Sequence, residues 1–265
     1  MEQMTFRDCV TRSWTSARGA ISQMSTLFAV CAAVLAAGAF FFSPQIPMDG
    51  QDSGRAMHMA SHAFASIGTL LVQLVLYGVL SIKVHRFVLL EEGAQPVLPL
   101  NGKPLLRYLA VAVGMGVAIV LAALLLTLVL RPQRVGGALF ILIVLYVAWI
   151  FVVVRLCLVF PAIALGGPIA LRAAWHDGRG HFWSITGITG VAALPLVALG
   201  IVLAVLVSAT GAVPEATWLR PVSAIVQGVS NALFVVLTAS SLSWVYRRYA
   251  DELPAPRLHD SGESQ

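Results

Sequence analysis

Charge is what this sequence has least of. Its 265 residues include 17 Lys and Arg and 12 Asp and Glu, or 11% charged, where soluble domains carry about 25%. So few charged side chains cannot cover a soluble domain of this length. Cysteine is scarce too. Cys9, Cys31 and Cys157 cannot build a disulfide scaffold. There is no phosphate-cradling glycine loop, no Cys-x-x-Cys pair and no nucleophile elbow. An apolar content of 58% excludes a disordered chain. A mean hydropathy of +0.86 leaves an integral membrane protein.

What the sequence does have is long uncharged runs. Six contain no Asp, Glu, Lys, Arg or His: Thr26–Phe42, Ala63–Ile82, Leu109–Leu130, Gly137–Val154, Ser184–Val207 and Val222–Tyr246. They are 17, 20, 22, 18, 24 and 25 residues long. Each approaches or exceeds the ~20 residues that cross a hydrocarbon core of ~30 Å. Backbone polar groups in lipid must bond within their own segment, so each run is predicted helical. A transmembrane β-barrel would alternate in polarity over segments of ~10 residues, and Val117–Leu130 does not alternate. The first run follows about 25 residues bearing Arg7, Arg12 and Arg18, and it outlasts the 7–15 residues usual for a signal-peptide core. It is expected to remain as an anchor.

Lys and Arg in the flanks set the orientation. Arg7, Arg12, Arg18, Lys83, Arg86, Lys103, Arg107, Arg155, Arg172, Arg179, Arg247, Arg248 and Arg257 fall on one side. Arg55, Arg131, Arg134 and Arg220 fall on the other. Both termini are therefore predicted cytoplasmic. The formal net charge of +5 reflects this asymmetry and contact with anionic headgroups, rather than a nucleic-acid partner. Tyr108, Trp183, Trp244, Tyr246 and Tyr249 are expected at the inner interface and Trp218 at the outer one.

The inner loop 155–183 has the most organisation. Pro161 is expected to end the fourth span, Gly166-Gly167 to break the chain, and Pro168 to open a helix over Ile169–Arg179 that Gly180 terminates. Arg172, His176 and Arg179 then share one side, beside Leu171, Ala174 and Trp175. That is the pattern of a short helix lying in the headgroup plane. Arg172, Trp175 and Arg179 are the candidate lipid-headgroup residues, with anionic lipid of the inner leaflet as partner. Trp14-x-x-x-Arg18-Gly19 faintly repeats Trp175-x-x-x-Arg179-Gly180.

The stretch Arg155-Leu-Cys-Leu-Val-Phe-Pro-Ala-Ile-Ala-Leu-Gly-Gly, followed by Ala174-Trp175, Arg179-Gly180 and Phe182-Trp183, resembles a signature of bacterial multi-span inner-membrane proteins. These are the YciC-like group and the membrane domain of glycerophosphoryl diester phosphodiesterases. His85-Arg86-Phe-Val-Leu-Leu-Glu91 is similar to the corresponding inner loop. Gly166-Gly167 departs from the pattern, which has an acidic residue before the glycine. The resemblance implies fold and a bacterial inner-membrane location. It transfers no catalytic residue, because the phosphodiesterase activity of that family resides in a separate soluble domain.

Other chemistry finds little footing. Ionisable residues inside spans mark transport pathways, and these runs hold none. Arg155, at a helix end, is expected to reach the headgroups along its long stem. In the sixth span Gln227, Asn231, Thr238 and Ser241 form a polar stripe within about 80° of a helical wheel, and Gln73 sits at mid-depth of the second. Such groups serve interhelical hydrogen bonding or a substrate path. His58 and His62 are four apart beside Met57 and Met59, but too few for a closed metal site. No metal, cofactor or catalytic residue is assigned, and no enzyme is expected.

The expected fold is all-α. A single six-span domain covers 1–249, with a cytoplasmic interfacial helix before the fifth span and a disordered cytoplasmic tail over 250–265. The expected role is non-enzymatic: a membrane-organising, lipid-interacting or accessory protein, with room for a protein partner or an oligomer. The alternative is a transporter or facilitator for an uncharged or amphiphilic substrate between spans two and six.

Overall fold

A computed structural model describes residues 5–42, 55–91, 102–130, 135–210, 219–250 and Leu253. Among these residues there is no strand. The helices are α1 (Phe6–Gln23), α2 (Ser25–Phe42), α3 (Arg55–Leu90), α4 (Gly102–Leu130), α5 (Val135–Leu156), α6 (Val159–Ala164), α7 (Leu171–Asp177), α8 (Phe182–Thr210) and α9 (Leu219–Tyr249). By length and composition four of them can cross a membrane, in α3, α4, α8 and α9. A fifth span arises if α1 and α2, bent by 92° at Met24, count as one.

Helix α1 was not among the expected spans, and its sequence explains its separate course. The Thr5 hydroxyl accepts from the Asp8 N–H while the Asp8 carboxylate accepts from Thr5, closing a capping box. These bonds hold the Asp8 carboxyl below its usual range. Cys9, Ser13, Ala17 and Ala20 are buried along one side of α1, and Arg7, Thr11, Thr15 and Ser22 lie exposed. The helix therefore packs on the bundle through small residues and turns polar ones outward.

Helix α9 is the hub, packed against α1, α2, α3 and α8. Among the described glycines, the one on its seam with α2 has the least room. A Cβ on Gly228 would stand 2.5 Å from both the Ala32 carbonyl oxygen and the Ala36 nitrogen. Small residues let membrane helices approach in this way. Helices α3 and α9 run parallel, since His85 meets Ser243 and Val88 meets Arg247. Helices α4 and α5 stand to the side, α4 against α3, α5 and α6, and α5 against α4, α7 and α8.

Burial is concentrated at one end. On α3, Leu80, Ile82, Val84, Val88 and Leu89 are buried, whereas Ile67, Leu70, Leu71, Val72 and Val75 are exposed. On α9, Val236 and Val245 are buried but Val222, Ile225 and Val229 are exposed. The packed end also gathers α1, α6 and α7 around a core that includes Cys9, Leu158, Ile163, Ala174, Ile185 and Tyr246. Elsewhere α4 and α5 expose Leu128, Phe140 and Ile143 at 72%, 68% and 61%. Water-facing surfaces do not carry apolar area so continuously; a bilayer accepts it.

Two expectations need correction. Pro161 does not end α5. The chain breaks at Cys157-Leu158, and Pro161 lies within α6, near the start of the helix, where its missing N–H costs little. Pro168 does not open α7, whose N-cap is Ala170. Of the tail over 250–265, Ala250 and Leu253 are described. Leu253 is 3% exposed in the core, and its N–H donates to Asp177 Oδ2 at 3.3 Å. The rest of the predicted tail lies outside the described residues, as do the side chains of His58 and His62.

Candidate functional site

The loop singled out by its sequence folds into a corner of α5, α7 and α8. Arg155 occupies the last turn of α5, one turn beyond Phe151. Its Nη1 donates to the Trp175 carbonyl at 3.3 Å. Its guanidinium lies 5.1 Å from the Phe151 ring centre and 5.2 Å from that of Trp175. The two rings meet edge to face at 6.2 Å. Arg155 thus folds beneath α7 instead of extending freely toward headgroups, as the sequence reading expected.

Two glycines permit this corner. A Cβ on Gly178 would stand 3.0 Å from the Arg155 carbonyl oxygen and 3.2 Å from that of Ala174. Gly180 has φ +86, in the left-handed region that favours glycine. Ala174 is fully buried, as its small size allows. After the turn Phe182 packs on Phe151 at 5.3 Å. Trp183 is 82% exposed.

Of the candidate headgroup residues, Trp175 is 40% exposed, and Arg172 and Arg179 are exposed. Helix α7 ends at Asp177, so Arg179 lies in the following turn and does not share a continuous helix face with Arg172. The faint repeat is likewise not matched in local structure. Gly19 is inside α1, where a Cβ would stand 3.5 Å from the Phe87 ring, whereas Gly180 is a left-handed turn residue.

The residues of the α9 stripe differ in burial. Gln227 is exposed, Asn231 and Thr238 are half-buried and Ser241 is buried. Ser241 donates to the Leu237 carbonyl of its own helix at 2.9 Å. Gln73 faces α2, with Nε2 3.6 Å from where a Gly38 Cβ would stand. Asn231→Leu should therefore lower the unfolding midpoint in detergent only slightly. Interhelical hydrogen bonds in membranes average ~0.6 kcal/mol. A large drop would show that Asn231 bridges helices.

The polar contacts that do join helices lay outside the stripe. His85 is 1% exposed on α3, inside the apolar segment Ile67–Leu90. Its Nδ1 is 2.8 Å from Ser243 Oγ. Ser243 Oγ also lies 2.9 Å from the Ala239 carbonyl of its own helix, and which of the two side chains donates in the His85–Ser243 bond depends on the imidazole tautomer. Trp244 Nε1 donates to Ser16 Oγ at 3.0 Å, and the guanidiniums of Arg12 and Arg247 lie over its ring at 5.2 and 5.0 Å. Arg247 Nη2 donates to the carbonyls of Val88 and Leu89 at 2.8 and 3.2 Å, closing the end of α3, where Glu91 takes φ 54. Arg107 does the same at the end of α6, donating to the Gly166 and Gly167 carbonyls at 3.3 and 3.0 Å. His85 fell in an inner loop in the sequence reading because Lys83 ended the uncharged run. Its i+4 spacing from Ser81, and Ser81's from Tyr77, was the available signal.

Fold and site define an all-helical protein with four or five membrane-capable helices, packed at one end around an arginine–aromatic corner. No family model matches the chain, and no curated protein or solved structure matches it either.

Proposed function

We propose that this is a six-span inner-membrane protein of a bacterium, both termini cytoplasmic, that organises lipid or supports a partner protein and catalyses no reaction. The packed end would be the cytoplasmic one. Helices α2 and α5 would complete the six spans, and α1 and α7 would lie at the inner interface. The observation that carries the reading is the exposed group Arg172, Trp175 and Arg179 beside exposed Trp183, a basic and aromatic surface suited to anionic headgroups. The resemblance of Arg155, Ala174-Trp175, Arg179-Gly180 and Phe182-Trp183 to the YciC-like signature supports the same location.

Two measurements test it. A phosphatase reporter fused after Gln265 should be inactive, while fusions within 44–61 or near Gly211 should be active; activity at the C-terminus would overturn the orientation. The double change Arg172→Gln with Arg179→Gln should leave insertion intact and weaken retention of phosphatidylglycerol or cardiolipin over zwitterionic lipid. Each basic residue near an anionic leaflet is worth ~1 kcal/mol. Unchanged retention would reduce α7 to a connector.

A second reading, a facilitator for an uncharged or amphiphilic substrate passing between α3 and α9, draws support from His85. An ionisable side chain inside a membrane-capable helix is a functional candidate by default. Unchanged stability with lost function in Asn231→Leu would favour that reading.

A further inference from the structure

Arg155 differs from the other arginines that hold the packed end together. Arg247 and Arg107 each reach two carbonyls. Arg155 reaches one, that of Trp175, through Nη1. Its Nε is shut off from solvent with no hydrogen-bond partner. Its Nη2 is unpaired but not sealed in the same way. Among the described residues no carboxylate pairs with it. A guanidinium is thus held against the Phe151 and Trp175 rings with no carboxylate partner among the described residues and with Nη2 left open to an acceptor. Leaving such a group without an acceptor costs free energy that a simple structural clamp would not need to spend.

The surroundings narrow the missing acceptor. Gly178 lies against the Arg155 backbone, which keeps the end of α7 on α5, while the Trp175 carbonyl and the two rings hold the guanidinium itself. Arg172 stands one turn before Trp175 on α7, exposed and without an ion pair among the described residues. Around them Ile169, Leu171 and Trp183 are exposed, an apolar rim rather than a watery cleft. The acceptor is therefore an anion that arrives with apolar matter attached. Arg155 can offer such an anion Nη2 while Nη1 stays on the Trp175 carbonyl, a division of donors that a planar guanidinium allows and a lysine ammonium does not.

We propose that Arg155, with Arg172, forms a phosphate-recognising site at the α5–α7 corner that takes the phosphodiester of a lipid headgroup. The site deepens the lipid-interacting reading above and rests on it. The clamp fixes the guanidinium before the lipid arrives, so little ordering remains on binding. Trp175 serves twice, orienting Arg155 through its carbonyl and ring while its exposed edge meets the glycerol and upper acyl region.

The test uses the full chain in zwitterionic detergent, with binding read by thermal shift and by lipid retained in native mass spectrometry. The probes are phosphatidylglycerol, diacylglycerol of the same chains, and inorganic phosphate. Phosphatidylglycerol should stabilise the parent and remain bound, and diacylglycerol should not. Arg155→Lys keeps the charge and loses the fork, and should weaken phosphatidylglycerol binding by roughly tenfold or more, as loss of a charge-assisted hydrogen bond predicts. Equal stabilisation by phosphatidylglycerol and diacylglycerol would overturn phosphate recognition, even if Arg155→Lys proved unfoldable. A shift with inorganic phosphate as large as with phosphatidylglycerol would keep Arg155 as the phosphate residue and overturn the lipid source. If Arg172→Gln with Arg179→Gln weakens retention while folded Arg155→Lys does not, the role of Arg155 fails and the surface reading stands. If neither weakens it, both fail.

Discussion

Gly228→Ala is expected to lower the stability of the protein in detergent by about 3 kcal/mol, the upper end of overpacking costs. The added Cβ would stand 2.5 Å from two backbone atoms of α2 and 2.7 Å from the Ala36 Cβ. Backbone cannot rotate out of the way as a long side chain can. The whole of α2 must withdraw from α9, and with it the cluster of Ala32, Leu35 and Ala232. Gly190 on α8 is the matched control. A Cβ there meets nothing within 4 Å, so Gly190→Ala should be neutral or stabilising by about 0.5–1 kcal/mol through helix propensity. Thermal unfolding followed by helical circular dichroism reads both. Equal midpoints for the two variants would mean that α2 and α9 do not meet at Gly228.

Arg247→Ala should cost about 3 kcal/mol, combining charge-assisted bonds of ~1.5–3 kcal/mol with a cation–π contact of ~1 kcal/mol. The change leaves the Val88 and Leu89 carbonyls without the donor that closes α3. It also removes one of the two guanidiniums on Trp244. Arg247→Lys should recover part of the loss, because a single ammonium cannot reach both carbonyls and cover the ring. Glu91→Gln should be nearly silent. Its carboxylate is 3.7 Å from Arg247 but 77% exposed, and such pairs contribute little. A silent Arg247→Ala would show that α3 closes without help from α9.

Helix positions were largely legible in the sequence because membrane burial forces long uncharged runs, and α4, α8 and α9 contain theirs whole while extending beyond them. Their ends were less legible. A charge was taken as a boundary, yet α3 continues past Lys83 to Leu90 and carries His85 into the core. The α5–α7 corner was legible as a set of residues, since Arg155, Trp175, Gly180 and Phe182 stand out in type and spacing. Their mutual contacts were not. Nothing in spacing shows that Arg155 turns back under Trp175, or that Leu253 returns to Asp177.

Composition alone determined that the chain is helical and fit for a bilayer, because backbone polar groups in lipid must be satisfied within each helix. Which helices touch was decided only by tertiary structure. Lipid is as apolar as leucine, so hydrophobicity does not choose a partner among apolar helices. Close fit at Gly228 chose α2 for α9. Hydrogen bonds from His85 and Arg247 joined α3 to α9, and a guanidinium between two rings fixed α7 on α5. Those choices depend on shape and on where single polar atoms meet, which a one-dimensional pattern of polarity does not encode.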